Sequence, residues 1–255
     1  MFYNPESYKE LDSQKLAEIW EPRKEYIEKD LWIIRNFLSK EELEWLNKEA
    51  NDPKDWYTTM RSFYGGNIKN KFLGYIAEYD NNGNMLVPTL QSEFGERPYN
   101  HFMDARLGSV LPPVFVGAMT LQSFFEVPDE KIIEDLGENV DWAMPWHYER
   151  DESDEEDVQR IIVHHSKTQN KKILSEGFIT ASFNVYINDN FDGGILEFKN
   201  KNYKIKPEKG MLINIPIYKE FEHRITKVTN GNRHTIYGRS WSTKEGVYIS
   251  TNEDC

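Results

Sequence analysis

Cysteine is almost missing from this chain. The single one is the last residue, Cys255, which excludes an intramolecular disulfide and a cysteine zinc site. Long apolar runs are missing too: no window approaches the roughly 20 consecutive apolar residues that cross a bilayer. The opening segment MFYNPESYKELDS has neither the basic start nor the apolar stretch of a secretory signal. These absences set the expectation of a soluble, cytoplasmic protein with no membrane partner. Positive charge is also short, with 31 Lys and Arg against 43 Asp and Glu and a formal net charge of −12. That balance disfavours a phosphate-backbone partner, so no nucleic acid is expected. It suits a small-molecule or basic peptide substrate.

Bulky apolar material is present, at 38% hydrophobic and 14% aromatic residues, which excludes a disordered chain. Helical spacing around Leu16, Ile19 and Trp20 opens the sequence, and LWIIRNFL (31–38) reads as a strand. Ser39 then sits three residues before Glu42, a capping box, and Leu43, Leu46 and Ala50 line one face of the helix that follows. Residues 51–110 mix Asp, Asn, Gly and Pro with aromatics, and only NHFMDARL reads as a helix there, with His101 lacking a partner one turn on.

Beyond residue 112 the pattern is β. The segments 112–127, 178–189, 194–200, 202–210, 210–217, 223–229 and 234–241 are short and β-branched or aromatic, separated by Asn, Asp, Gly and Pro. Strands at such spacing make an antiparallel sandwich or barrel. With no internal boundary or repeat, the expectation is one domain over 1–255, with helical support over about 1–110 and a β core over about 112–245.

Chemistry concentrates in the second half. PWHYERD holds His147 and Glu149, two apart; His223 follows at a distance, with Arg233 ten residues after it. A histidine and a carboxylate two apart, with a distant histidine, can give iron(II) three protein ligands on one face. The remaining positions stay open for a cosubstrate and O2. An arginine past the distal histidine suits the remote carboxylate of a bound diacid, since its fork donates two parallel hydrogen bonds. In a chain with six histidines and 43 acidic residues a chance His-x-acid is common, so order and spacing carry the argument. An oxygenase is the leading reading. The competing class is a non-enzymatic β-barrel binding or assembly protein whose histidines are structural, His223 being then an ordinary histidine at a strand edge.

Several pieces stand in a recognisable order: NFLSKEELEWL, the His147 dyad, VYIND, FDGG, ILEF, PEKGMLIN, HRITKVTNGNR, and Trp241 closing the last strand. In this order they resemble the iron(II)/2-oxoglutarate-dependent dioxygenases, specifically the prolyl 4-hydroxylase-like group, over about 31–50 and 113–241. The resemblance implies a double-stranded β-helix (jelly-roll) core with His147, Glu149 and His223 as iron ligands in its mouth. It implies that Arg233 holds the 5-carboxylate of 2-oxoglutarate, with Thr235 on the same face. It further implies hydroxylation of a C–H bond driven by oxidative decarboxylation, ascorbate as reductant, and a peptidyl-proline as the first substrate to consider. One departure stands out: the family's dyad is His-x-Asp, and here glutamate occupies that position. Asp151, two residues on, is a rival ligand, and Glu149 is preferred.

In FITASFNVYIND, alternation sets Thr180, Ser182, Asn184 and Tyr186 on one face and Phe183, Val185 and Ile187 on the other. The polar face suits either solvent or a cosubstrate pocket, with Tyr186 and then Asn184 as the pocket residues. The stretch 149–157 holds seven acidic residues in nine and reads as a solvated loop, with an entrance lid as the sharper alternative. His164 and His165, adjacent on a strand, would point opposite ways and so share no metal.

Overall fold

The computed structural model describes residues 18–52, 57–58, 68–75, 115–116, 118–148, 159–166 and 171–251, with side chains over 18–52, 68–69, 121–148 and 181–238. The first part carries β1 (Glu25–Tyr26), β2 (Trp32–Ile34), helix α1 (Lys40–Asn51), β3 (Tyr57–Thr58) and β4 (Ile68–Tyr75). Next come β5 (Phe115–Val116), β6 (Ala118–Phe125), helix α2 (Asp129–Leu136), β7 (Trp142–His147), β8 (Gln159–Ser166) and β9 (Lys171–Tyr186). The remainder is β10 (Asp192–Gly193), β11 (Leu196–Phe198), β12 (Lys204–Ile205), β13 (Leu212–Pro216), β14 (His223–Thr226), β15 (Val228–Asn230) and β16 (Asn232–Thr251).

Two strands show how sequence chooses depth. In β13 every residue is buried, so the strand is apolar almost throughout, as a central strand covered on both faces must be. β9 instead alternates at its inner end, because its two faces meet different layers. The large antiparallel sheet runs β1-β2-β13-β9-β16-β6-β4-β3, with β5 on β16 and β8 on β9. A smaller one runs β12-β11-β14-β7, and β10 pairs β15.

One face of the large sheet offers Leu121, Phe183, Val185, Ile187, Leu212 and Ile236 to Trp20, Phe37, Leu38 and the α1 residues Leu43, Leu46 and Ala50. Burying each leucine is worth about 1.5–3 kcal/mol. The helix starts as its sequence requires: Ser39 Oγ accepts from Glu42 N at 3.1 Å, and Glu42 Oε2 accepts from Ser39 N at 2.7 Å. The other face packs Phe124, Tyr186, Ile213 and Ile215 against Ala143, Leu196, Phe198 and Ile225 of the smaller sheet. Two facing antiparallel sheets with helix α1 outside the larger one are the layering of a double-stranded β-helix, or jelly roll.

The structure lengthens two strands. β9 begins at Lys171 rather than Phe178, and β16 runs on to Thr251 instead of closing at Trp241. They pair along that whole length, with register shifts at Ser240/Trp241 and Thr243/Val247. Bulges absorb the breaks in alternation that hide these extensions in the sequence. Helix α2, which no strong periodicity announces, starts after Pro128 and stops at Gly137, whose φ of +81° suits a residue without Cβ. Among the described residues no helix is long and apolar enough to cross a membrane. Leu16, the NHFMDARL segment with His101, and the acidic stretch 149–157 lie outside the described residues. His164 and His165 fall on β8, opposite Ile173 and Lys172 of β9.

Candidate metal centre and anion pocket

His147 ends β7 and His223 begins β14, and the two are direct cross-strand partners. Residues opposite each other on antiparallel strands share a face. Their rings accordingly meet, with centroids 4.3 Å apart and planes at 58°. Each ring is tethered in the same way. His147 Nδ1 lies 2.8 Å from Pro145 O, and His223 Nδ1 lies 2.9 Å from Phe221 O. A carbonyl only accepts, so both Nδ1 atoms are the donors, and in the neutral imidazole this leaves the lone pair on Nε2. That is the tautomer a metal ligand needs. His223 is buried beside Phe198, whose ring centroid is 5.8 Å away. Burial, and then the neighbouring His147, push its pKa down to about 3, so the ring is neutral at physiological pH.

Behind the histidines, their strand neighbours hold the register. Arg224 lies 4.9 Å over the Trp146 ring, reaches Glu197 on β11 at 2.8–2.9 Å, and reaches Asp141 at 3.0 Å. Among the described residues no third His, Cys, Asp or Glu joins the pair. Both carboxylate candidates, Glu149 and Asp151, lie outside the described residues.

On the facing sheet, Arg233 near the start of β16 is 0% exposed. Its guanidinium carbon sits 4.7 Å from the Phe124 ring on β6 and 5.0 Å from the Tyr186 ring on β9. Rings from the two neighbouring strands therefore flank it. None of its three side-chain nitrogens, nor the Tyr186 hydroxyl, has a hydrogen-bond partner among the described residues. Burial lowers the Arg233 pKa and raises that of Tyr186; the two groups are close enough that each favours the other's charged form, although no contact between them has the geometry of a hydrogen bond. A buried cation without an anion costs several kcal/mol, so a guanidinium unpartnered among the described residues suits a negative partner.

The register aligns Thr235 with Tyr186, which puts Arg233, Thr235, Asn184 and Tyr186 on one face. Thr235 is fully buried and its hydroxyl reaches Gln122 O at 3.4 Å. Ser182, Asn184 and Tyr186 are all buried, so the polar side of β9 looks inward between the sheets and not to solvent. Thr180 falls at a register shift, where side chains are not described.

The glycine pair has a spatial cause. A Cβ on Gly194 would stand 2.8 Å from Arg233 Cδ and 2.9 Å from Phe191, and its φ is +59°. On Gly193 it would stand 1.9 Å from Lys227 O. The pair leaves space for the arginine stem and for the β14–β15 turn.

Sequence reasoning missed Phe124, which looks like any core aromatic in an apolar strand. It also missed His234, on the opposite face of β16. The ring of His234 meets Ser123 Oγ at 2.6 Å, and burial pushes its pKa down to about 4.

No protein-family model matches the chain, and no curated protein sequence matches it. Solved structures do. The chain is similar to a Trichoplax adhaerens prolyl hydroxylase in complex with a hypoxia inducible factor oxygen degradation domain peptide fragment. Identity is 12%, coverage 92% of this chain and 91% of that one, and the TM-score 0.51. It is similar also to a viral collagen prolyl hydroxylase of Paramecium Bursaria Chlorella virus-1, at 15% identity, covering 85% and 91%, with a TM-score of 0.44. A 2OG-Fe(II) oxygenase family oxidoreductase of Burkholderia pseudomallei follows at 11% identity, 91% of each chain and a TM-score of 0.40. At these identities the likeness to the Trichoplax protein speaks for the fold.

Proposed function

We propose that the chain, acting as a single domain over 1–255, is an iron(II)/2-oxoglutarate-dependent oxygenase that hydroxylates a C–H bond. The observation that carries this reading is Arg233, a fully buried guanidinium with no hydrogen-bond partner among the described residues, on the sheet facing the paired rings of His147 and His223. His147 and His223 would hold the iron through Nε2, with Glu149, or its rival Asp151, as the carboxylate ligand. When bound, iron(II) with 2-oxoglutarate and O2 supplies the oxidising power: substrate C–H becomes C–OH while 2-oxoglutarate becomes succinate and CO2.

The chain's own residues do the positioning. The carbonyls of Pro145 and Phe221 hold each imidazole in one tautomer and orientation. Arg233, flanked by the rings of Phe124 and Tyr186, would hold the remote carboxylate of 2-oxoglutarate, and the two rings would shield that ion pair from water. The Tyr186 hydroxyl, which has no hydrogen-bond partner among the described residues, would donate to the same carboxylate, with Thr235 and Asn184 on the same face lining the approach. Ascorbate is the reductant to supply in assays. A peptide-borne proline is the substrate class to test first, since the Trichoplax protein is a prolyl hydroxylase in complex with a peptide fragment.

The test is an anaerobic titration of iron(II)-loaded protein with 2-oxoglutarate, followed by visible spectroscopy. A saturable charge-transfer band at one equivalent supports the reading. Folded protein that gives no band returns the barrel to a binding module.

A further inference from the structure

The motif VYIND holds a buried polar residue that the proposed chemistry does not use, Asn188. The ladder between β9 and β16 ends with Tyr186 opposite Thr235 and a last bond from Ile187 N to His234 O at 3.0 Å. Beyond it the chain leaves the sheet, yet β16 still presents Asn232 O and His234 N on that side. Left alone in the interior, each would cost an unsatisfied group.

Asn188 supplies both partners from one side chain. Its Oδ1 accepts from His234 N at 2.9 Å, and its Nδ2 donates to Asn232 O at 2.8 Å and to Asn190 Oδ1 at 2.8 Å. The two backbone groups fix the orientation of the amide, because an N–H needs an oxygen and a carbonyl needs an N–H. Asn232 and His234 bracket Arg233. On the other edge, Arg233 is the cross-strand partner of Phe124, whose ring it faces. The backbone that aims the arginine is thus held from β6 on one side and by a single carboxamide on the other.

We propose that Asn188 is a positioning residue for the diacid cosubstrate: it sets the backbone on both sides of Arg233 and thereby the aim of the guanidinium. The inference rests on Arg233 being the 2-oxoglutarate anchor. Misplacing a binding group by about 1 Å can cost as much as about a hundredfold.

The experiment measures 2-oxoglutarate affinity by anaerobic calorimetry on iron(II)-loaded full-length protein, with iron(II) affinity measured separately. Asn188→Ala should weaken 2-oxoglutarate about tenfold or more and leave iron(II) affinity unchanged. Asn188→Asp keeps the acceptor for His234 N but sets a carboxylate against Asn232 O, so it should also weaken 2-oxoglutarate; it carries the test if the alanine variant does not fold. In an Arg233→Met background the Asn188 substitutions should change the residual affinity by less than about twofold, since the group they aim is gone. Unchanged affinity in the single variants, or equal losses with and without Arg233, overturns the positioning role. Wild-type protein that binds iron(II) but not 2-oxoglutarate overturns the anchor reading, and the inference with it.

Discussion

His147 and His223 present their rings to each other at 4.3 Å because β7 and β14 pair at those two residues. Nothing in the contact depends on a loop. The pair is set by strand register, and each ring is turned by a carbonyl two residues before it on its own chain. A pair held in this way would be preorganised for the proposed iron.

Replacing either histidine should remove stoichiometric iron(II), since two remaining protein ligands hold the metal poorly. Glu149→Ala and Asp151→Ala should differ, only the first losing metal. Metal content after gel filtration checks both points, and retention of iron by Glu149→Ala together with loss by Asp151→Ala would transfer the ligand role.

Arg233→Met should act in opposite directions on binding and stability. Affinity for 2-oxoglutarate should fall by about 2–4 kcal/mol, the order expected for losing a buried charge-assisted pair. The cosubstrate-free protein should become more stable by about 1–4 kcal/mol, because a buried charge unpaired among the described residues gives way to an apolar side chain of similar length. Calorimetric binding and denaturant unfolding give the two numbers. A destabilised methionine variant would mean that the guanidinium already has an anionic partner within the chain.

Gly194→Ala places a methyl 2.8 Å from Arg233 Cδ at a φ of +59°. The expected cost is about 1–3 kcal/mol in unfolding free energy, from strain and overpacking together. Weaker 2-oxoglutarate binding should accompany it, and normal stability with normal binding would show that the turn relaxes freely.

His234 should make stability depend on acid. Burial holds its pKa at about 4 in the folded protein, whereas the unfolded chain takes the proton near 6.5. As pH falls from about 6.5 to about 4 the unfolded state binds more protons, so stability drops, by up to about 3 kcal/mol for this group. Below the folded value both states are protonated and the slope ends. Denaturant unfolding of wild type and His234→Gln at pH 7, 5.5 and 4.5 isolates the contribution by difference; parallel curves would remove it.

The sequence made some of this legible and concealed the rest for physical reasons. Ser39 and Glu42 could be read because a capping box is local. The division of β9 between polar and apolar residues could be read because its two faces meet different layers. His147, His223 and Arg233 could be singled out by residue type and order, since few side chains can ligate iron or grip a carboxylate. Phe124 could not, because an aromatic against a guanidinium is written in the same letters as one against leucine. Asn188 stood in the VYIND motif, but its task could not be read, as it depends on where a distant strand exposes two backbone groups. The outer lengths of β9 and β16 were hidden because each is sustained by its partner across bulges.

On β9, Asn184 and Tyr186 face the anion pocket, while the residues between and beside them, Phe183, Val185 and Ile187, close the core under α1. One stretch of backbone serves two clients in strict alternation. Point substitutions there trouble one client at a time, whereas inserting or deleting a single residue would exchange them, sending tyrosine into the helix layer and valine to the pocket beside Arg233. Descendants of this chain are therefore free to drift in the letters of the strand but not in its count, and a designer seeking a new cosubstrate should edit by replacement alone.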